Sequence, residues 1–204
     1  MNEAATFGPS DLGIKSGDHV CALYWGVASR DEIILPFLRA GLLAGDHCIC
    51  VAYATDPSAV LDRIDNGIDV DAAVASRQLA VRAATDTYLK GGYFSTNEML
   101  DFYEGFVRPA TEGGNVARVL GEGAWAAEGW PGADELMDYE SEINRFVTRY
   151  PQMILCLYDL ELCGGGMVVD LLTTHPKILL GGMLIDNPNY MTPDEFRKAR
   201  AAGA

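Results

Sequence analysis

Where a nucleotide-binding protein carries its phosphate loop, this chain reads Tyr24-Trp25-Gly26-Val27-Ala28-Ser29-Arg30-Asp31-Glu32, set between a short apolar run and a stretch of helical periodicity. Strand, tight turn and helix are the geometry of a phosphate cradle. A working cradle also needs several glycines to wrap the phosphates, a lysine to reach them and a hydroxyl for magnesium. Here the turn has one glycine and no lysine, and Asp31-Glu32 face the place an anion would occupy. The residue types argue for a binding or sensory module over an ATPase. In open parallel sheets, ligands sit beyond the carboxyl ends of the strands. Those ends supply Tyr24 and Trp25, then Glu122 and Trp125, then Tyr158 and Asp159. Aromatic faces with a few acids suit a small neutral or cationic organic molecule better than a phosphate. The competing reading is plain aromatic packing.

A second constellation is metal-like. His19-x-Cys21 places two potential ligands on one side of a strand, because side chains repeat every second residue. If the first and fifth strands are neighbours, Cys156 lies near Cys21, and His175 enters from the segment before Pro176. The four would form a His2Cys2 site, yet the spacing is unlike a zinc ribbon, and buried thiols beside backbone-bonded histidines account for the same residues. Cys48 and Cys50 share a strand face with no electropositive neighbour and read as small hydrophobes. Gly164-Gly165-Gly166 and Gly91-Gly92-Tyr93-Phe94 read as turns, the latter presenting aromatics from a mobile loop. A Cys156–His175–Asp159 triad lacks a strained nucleophile turn and an oxyanion donor, and Glu122 with Asp159 has nothing to fix a substrate. No enzyme activity is expected.

These residues must be positioned by alternating strands and helices. Apolar runs at Val20–Trp25, Cys48–Ala54, Leu79–Ala83, Val116–Gly121, Met153–Leu160 and Ile178–Leu184 are near-continuous, as in strands buried on both faces of a mainly parallel sheet. Helical patterns lie between them, which implies an α/β layered fold. Asp56-Pro57 opens a helix that stops near Gly67, and Ser95-x-x-Glu98 reads as a capping box before Met99, Leu100, Phe102, Tyr103 and Phe106. Helical spacing also runs from Ala133 to Tyr150 and from Met167 to Thr174. Pro36 falls well inside the first helix, predicting either a later start near Asp31 or a kink. The tail from Asn187 to Ala204 carries a short basic helix. The domain is expected over residues 17–204, with residues 1–16 a flexible N-terminal segment.

Composition narrows the partners. The chain has 204 residues, a formal charge of −14 and 15 scattered Lys and Arg, which opposes direct contact with nucleic acid or an anionic membrane. No apolar stretch approaches the ~20 residues that span a bilayer, and no signal peptide is apparent, so a cytoplasmic protein is expected. Five cysteines without a Cys-x-x-Cys pair fit free thiols in a reducing compartment.

Several stretches together resemble the MEDS family, the methanogen/methylotroph sensory domain of prokaryotic signalling proteins. They are Gly17-Asp18-His19-Val20-Cys21 with Tyr24; Phe37-Leu38-x-x-Gly41-Leu42-x-x-Gly45-Asp46-x-Cys48; Tyr88-x-x-x-Gly92-x-Phe94; Arg118-Val119-x-Gly121-Glu122-x-x-Trp125; Leu136-x-x-Tyr139-Glu140; Leu155-Cys156-x-Tyr158-Asp159; and His175-Pro176 followed by Asn187-Pro188-x-Tyr190. The resemblance implies a three-layer RecA-like fold that has lost its phosphate loop, a role in sensing simple hydrocarbon derivatives, and recurrent positions at His19, Cys21, Tyr24, Glu122, Trp125, Tyr158, Asp159 and His175. Most of that set coincides with the strand-end residues. The expected protein is a non-catalytic small-molecule sensor, with no cofactor indicated, that signals through a separate partner such as a kinase or transcription regulator and has the capacity to form a homodimer. The alternative is a metal- or redox-responsive regulator built on His19, Cys21, Cys156 and His175.

Overall fold

A computed structural model describes residues 13–64 and 67–203. The N-terminal segment expected to be flexible lies largely outside the described residues. Six strands, β1 (His19–Tyr24), β2 (His47–Ala52), β3 (Leu79–Ala83), β4 (Ala117–Glu122), β5 (Gln152–Asp159) and β6 (Lys177–Leu180), pair in parallel, and β7 (Met183–Asp186) adds antiparallel to β6. The order across the sheet is β3-β2-β4-β5-β1-β6-β7. β1 and β5 are therefore neighbours at the centre, with Cys21 directly opposite Cys156, as the sequence predicts.

Helices cover both faces. α1 (Gly26–Ala44), α2 (Pro57–Ile64) and α3 (Val70–Ala75) place Ile34, Phe37, Leu38, Val60, Ile64 and Ala73 against Val20, Ala22, Cys48, Cys50, Leu155 and Leu157. On the other face, α4 (Thr96–Ala110), α5 (Leu136–Phe146) and α6 (Gly165–Thr174) pack Met99, Tyr103, Tyr139, Ile143, Phe146 and Leu171 against Cys21, Leu23, Val119, Ile154 and Cys156. α7 (Pro193–Ala201) closes over this layer through its buried Phe196. Because consecutive side chains of a strand point to opposite faces, a strand covered on both sides must be apolar throughout. That is why these runs lack alternation.

Three local readings need correction. The run Ile178–Leu184 is a hairpin, because Gly181 and Gly182 both take positive φ (57° and 78°), the backbone of a tight two-residue turn. Ser95 caps α4 by position only: its side chain makes no cap bond, Glu98 accepts from the Tyr93 hydroxyl, and the Thr96 amide donates to Glu135. A complete capping box lies instead at Thr192–Glu195, at the start of α7. α1 begins at Gly26, earlier than Ser29 or Asp31, and continues through Pro36.

α1 lies close to the sheet at Gly41. A Cβ there would stand 2.6 Å from both Cys48 Sγ and Arg118 Cδ, and Arg118 is itself held by Asp46 and packed over the Phe37 ring. Gly41→Ala should therefore overpack the interface and cost about 1–3 kcal/mol, read as a lower urea midpoint. An unchanged midpoint would show that α1 can lift away freely.

Candidate functional site

The sheet divides the sequence-predicted residues into two sets. On the α5 side, His19 opens β1 and Cys156 sits in the middle of β5, both projecting toward the helical layer. α5 crosses above them and carries Glu140 and Asn144, four residues apart and so on one helix face. His175 follows the last residue of α6, turning back into the same space just before β6. His19 Nε2 lies 3.2 Å from Glu140 Oε2 and 3.4 Å from Cys156 Sγ. His175 Nε2 is also 3.2 Å from Glu140 Oε2 but makes no hydrogen bond. The two imidazole rings lie 4.2 Å apart between centroids, tilted by 39°. The ligand-type atoms of His19, Glu140, Cys156 and His175 all lie within 4.8 Å of one another, and each of these residues is buried. The structure thus brings together three of the four suspected metal ligands, with Glu140 in the fourth place. Cys21 flanks the group without joining it.

Burial governs the ionisation here. It lowers the pKa of His19, helped by the neighbouring His175 and opposed by Glu140. The thiols of Cys156 and Cys21 are pushed up, first by burial and then by the Glu140 charge. Burial alone would raise the Glu140 pKa, but its contacts with His175 and His19 outweigh this and lower it. A mid-strand thiol held protonated is a poor nucleophile. Asp159 points to the opposite face, so the Cys156–His175–Asp159 triad is not assembled.

Tyr158 donates its hydroxyl to Glu140 Oε1 and borders an aromatic cluster. Trp125 lies in the 3-10 turn Ala124–Glu128 and packs against Phe94 (4.7 Å between centroids) and Tyr88 (5.6 Å). Tyr88 bonds Tyr103 through their hydroxyls at 2.8 Å. Trp125 is fully buried, and its Nε1 has no hydrogen-bond partner among the described residues. Phe94 of the turn expected to be mobile, with Tyr88 and Leu89 just before it, joins this cluster as a buried side chain.

On the α1 side stand Tyr24, Glu122 and Asp159. A single residue, the half-exposed Trp25, separates the end of β1 from the start of α1. The Gly26 amide at the helix N-terminus donates to Asp159 Oδ1 at 3.2 Å, so the chain's own carboxylate takes the position that favours an anion. Glu122 is similarly engaged. Its Oε1 accepts from Arg30 Nη1 at 2.7 Å, and its Oε2 from the Tyr53 and Ala54 amides at 2.5 and 2.7 Å. Arg30 also binds Asp31 Oδ1 at 2.7 and 3.0 Å through Nη2 and Nε, and Arg63 reaches Asp31 Oδ2. The Tyr24 hydroxyl is buried without a partner among the described residues, and burial, then Glu122, raise its pKa.

Sequence reasoning missed Glu140, Asn144 and Arg30 as site residues. Glu140 stood within a quoted family motif but was read as part of an ordinary amphipathic helix. For Arg30, the available signal was a cation beside two acids at the start of a helix lying next to Glu122. Arg30 and Glu122 are 0% and 1% exposed. Removing one member of a buried ion pair strands the other. Arg30→Met should therefore cost about 3–5 kcal/mol in guanidinium unfolding, whereas truncating the half-exposed Arg63 should cost less than about 1 kcal/mol. Equal effects would contradict this assignment.

Residues 18–176 match the model of the MEDS family, described as the MEthanogen/methylotroph, DcmR Sensory domain. The transcriptional repressor DcmR of Methylorubrum extorquens (strain DSM 6343 / CIP 106787 / DM4) is 32% identical over 180 residues, covering 86% of this chain. The chain spans 64% of that repressor's length. Among solved structures, the KaiC-like protein PH0186 from Pyrococcus horikoshii OT3 superposes with a TM-score of 0.61 at 12% identity, over 87% of this chain and 78% of that one. The flagellar accessory protein FlaH from Methanocaldococcus jannaschii gives 0.54 at 13% identity, over 84% and 76%. At these identities the likeness concerns the fold alone, and it agrees with the RecA-like architecture. With its matching span covering most of the described residues, the chain belongs to the MEDS family.

Proposed function

We propose that this protein is a non-catalytic cytoplasmic sensor of a small organic molecule, a simple hydrocarbon derivative, and that it signals through a separate partner such as a transcription regulator or kinase. The observation that carries this reading is the Asp159 carboxylate at the N-terminus of α1, where a nucleotide phosphate would otherwise be bound. Family membership and the DcmR relative support the regulatory context. No helix among the described residues is long and apolar enough to cross a membrane. The family positions proposed for recognition are His19, Cys21, Tyr24, Glu122, Trp125, Tyr158, Asp159 and His175. Because the sheet separates them, a small molecule would touch those of the α5 layer, and Tyr24, Glu122 and Asp159 would act from the other face.

All eight of these residues are buried, so in this reading entry requires movement. The segment of Tyr88, Leu89 and Phe94 is the natural cover. It meets Trp125 through two tilted rings, those of Tyr88 and Phe94, and Gly91-Gly92 allow its backbone to swing. Lifting it would free the unsatisfied Trp125 Nε1 to bond a ligand. A ligand shifts such an equilibrium only by binding the two conformations unequally. The open and closed forms would then present different surfaces to the partner.

A melting-temperature screen against short alcohols, amines and halocarbons should find a stabilising compound. At ~100 times its Kd, that compound adds about 2.7 kcal/mol to the folded state. Trp125→Phe and Glu122→Gln should reduce the shift and alter partner affinity; if both variants respond as the parent does, the site assignment fails. Calorimetry with ATP and magnesium should register no binding heat, and a clear isotherm would restore the nucleotide reading.

A further inference from the structure

We propose that His19, Glu140, Cys156 and His175 bind a divalent transition-metal ion of the zinc class, at a closed four-coordinate site that fastens the α5–α6 layer to the sheet. This inference stands on the local geometry; with His19 and His175 held by the ion, the sensory reading keeps Tyr24, Glu122, Trp125, Tyr158 and Asp159 for its ligand.

Hydrogen bonding around the cluster leaves it short of protons. His19 Nδ1 faces Asn144 Oδ1 at 3.0 Å, and the Asn144 amide nitrogen is already directed at the carbonyls of Glu140, Ser141 and Thr174. The His19 proton therefore resides on Nδ1. His175 Nδ1 lies 2.9 Å from the Leu171 carbonyl, which can only accept, so its proton is on Nδ1 as well. With the Nδ1 proton placed in this way, Nε2 of each ring offers a lone pair to an ion. Both lone pairs point at the same carboxylate oxygen, Glu140 Oε2, at 3.2 Å. The Cys156 thiol can satisfy one of them at most. His175 Nε2 is fully buried, without a hydrogen-bond partner among the described residues, and directed into the cluster. A cation bound at this point would hold the converging bases together.

Three of the six ligand-atom spacings suit the ion, and all six lie within 4.8 Å. Tetrahedral zinc with bonds of about 2.0–2.3 Å to nitrogen, oxygen and sulfur sets its ligand atoms about 3.3–3.8 Å apart. The contacts here are 3.2 Å for His19–Glu140, 3.4 Å for His19–Cys156 and 3.2 Å for His175–Glu140. Charge matches too: a thiolate and a carboxylate with two neutral imidazoles cancel a divalent ion, so the buried assembly carries no net charge. Each ligand except the sulfur also has an orienting partner of the kind that surrounds metal sites, namely Asn144 for His19, the Leu171 carbonyl for His175 and the Tyr158 hydroxyl for Glu140.

The test uses the full chain, expressed without an affinity tag, stripped with chelator and reloaded. Elemental analysis after zinc loading should give about one zinc per chain. Cobalt(II) loading should give the absorption bands of a tetrahedral thiolate complex. Chelation should lower the melting temperature of the parent protein, and zinc, but not magnesium, should restore it; this arm needs no variant to fold. Cys156→Ser should abolish the cobalt–thiolate bands, Cys50→Ser on the opposite face should keep them, and Asn144→Ala should weaken zinc binding about 10–100-fold. A zinc-loaded parent with metal far below stoichiometry would overturn the proposal and identify the cluster as a proton-sharing network. So would zinc retained equally by Cys156→Ser and His175→Gln. The organic-ligand screen is scored separately, so either idea can fail alone.

Discussion

The in-register parallel pairing of β1 with β5 sets the positions of His19, Cys156 and Asp159, around which both candidate compartments are built. Its register runs from His19 opposite Ile154 to Tyr24 opposite Asp159. Both strands are covered on both faces, so any polar side chain they carry enters a region without water. Such a group costs free energy unless it finds a partner. The pairing delivers His19 and Cys156 to the α5 layer and Asp159 to the start of α1. The surrounding helices supply what each needs: Glu140 and Asn144 from α5 above His19, and the Gly26 amide beneath Asp159.

The same requirement explains the arrangement of charge. The chain carries 29 acidic residues against 15 basic ones, yet three of the four buried acids among the described residues, all but Glu140, are fully accounted for by named donors. Glu122 is answered by Arg30 and two backbone amides, Asp31 by Arg30 and Arg63, and Asp159 by amides at the helix start. The negative excess therefore belongs to the solvated surface. At the site of a phosphate loop, the chain supplies its own anion and places α1 one residue after β1. The fold has the outline of its RecA-like relatives, with an interior closed by internal partners.

The fold was legible because burial on both sheet faces writes long apolar runs, and because the alternation with helices admits few topologies. The neighbour relation of β1 and β5, and with it the approach of Cys21 to Cys156, followed from that. The hairpin at Gly181–Gly182 was hidden because its two short strands read as one apolar run. Glu140 was not legible as a ligand, since its neighbours Leu136, Tyr139 and Ile143 give α5 an ordinary apolar stripe, and only the crossing of α5 over β1 brings Glu140 to His19. Reading strand ends as a single list also merged residues that the pleat separates. Tyr158 and Trp125 sit in one layer, Tyr24, Glu122 and Asp159 in the other.

That separation has a consequence for how the chain tolerates insertion and deletion. Cys156 and Tyr158 share one face of β5, while Leu157 and Asp159 share the other. Losing or gaining a single residue near the start of this strand would exchange the two groups, turning the sulfur and phenol toward α1 and sending a carboxylate in beneath α5. Substitutions along β5 act locally, but a change of reading frame in its pleat would dismantle both compartments at once.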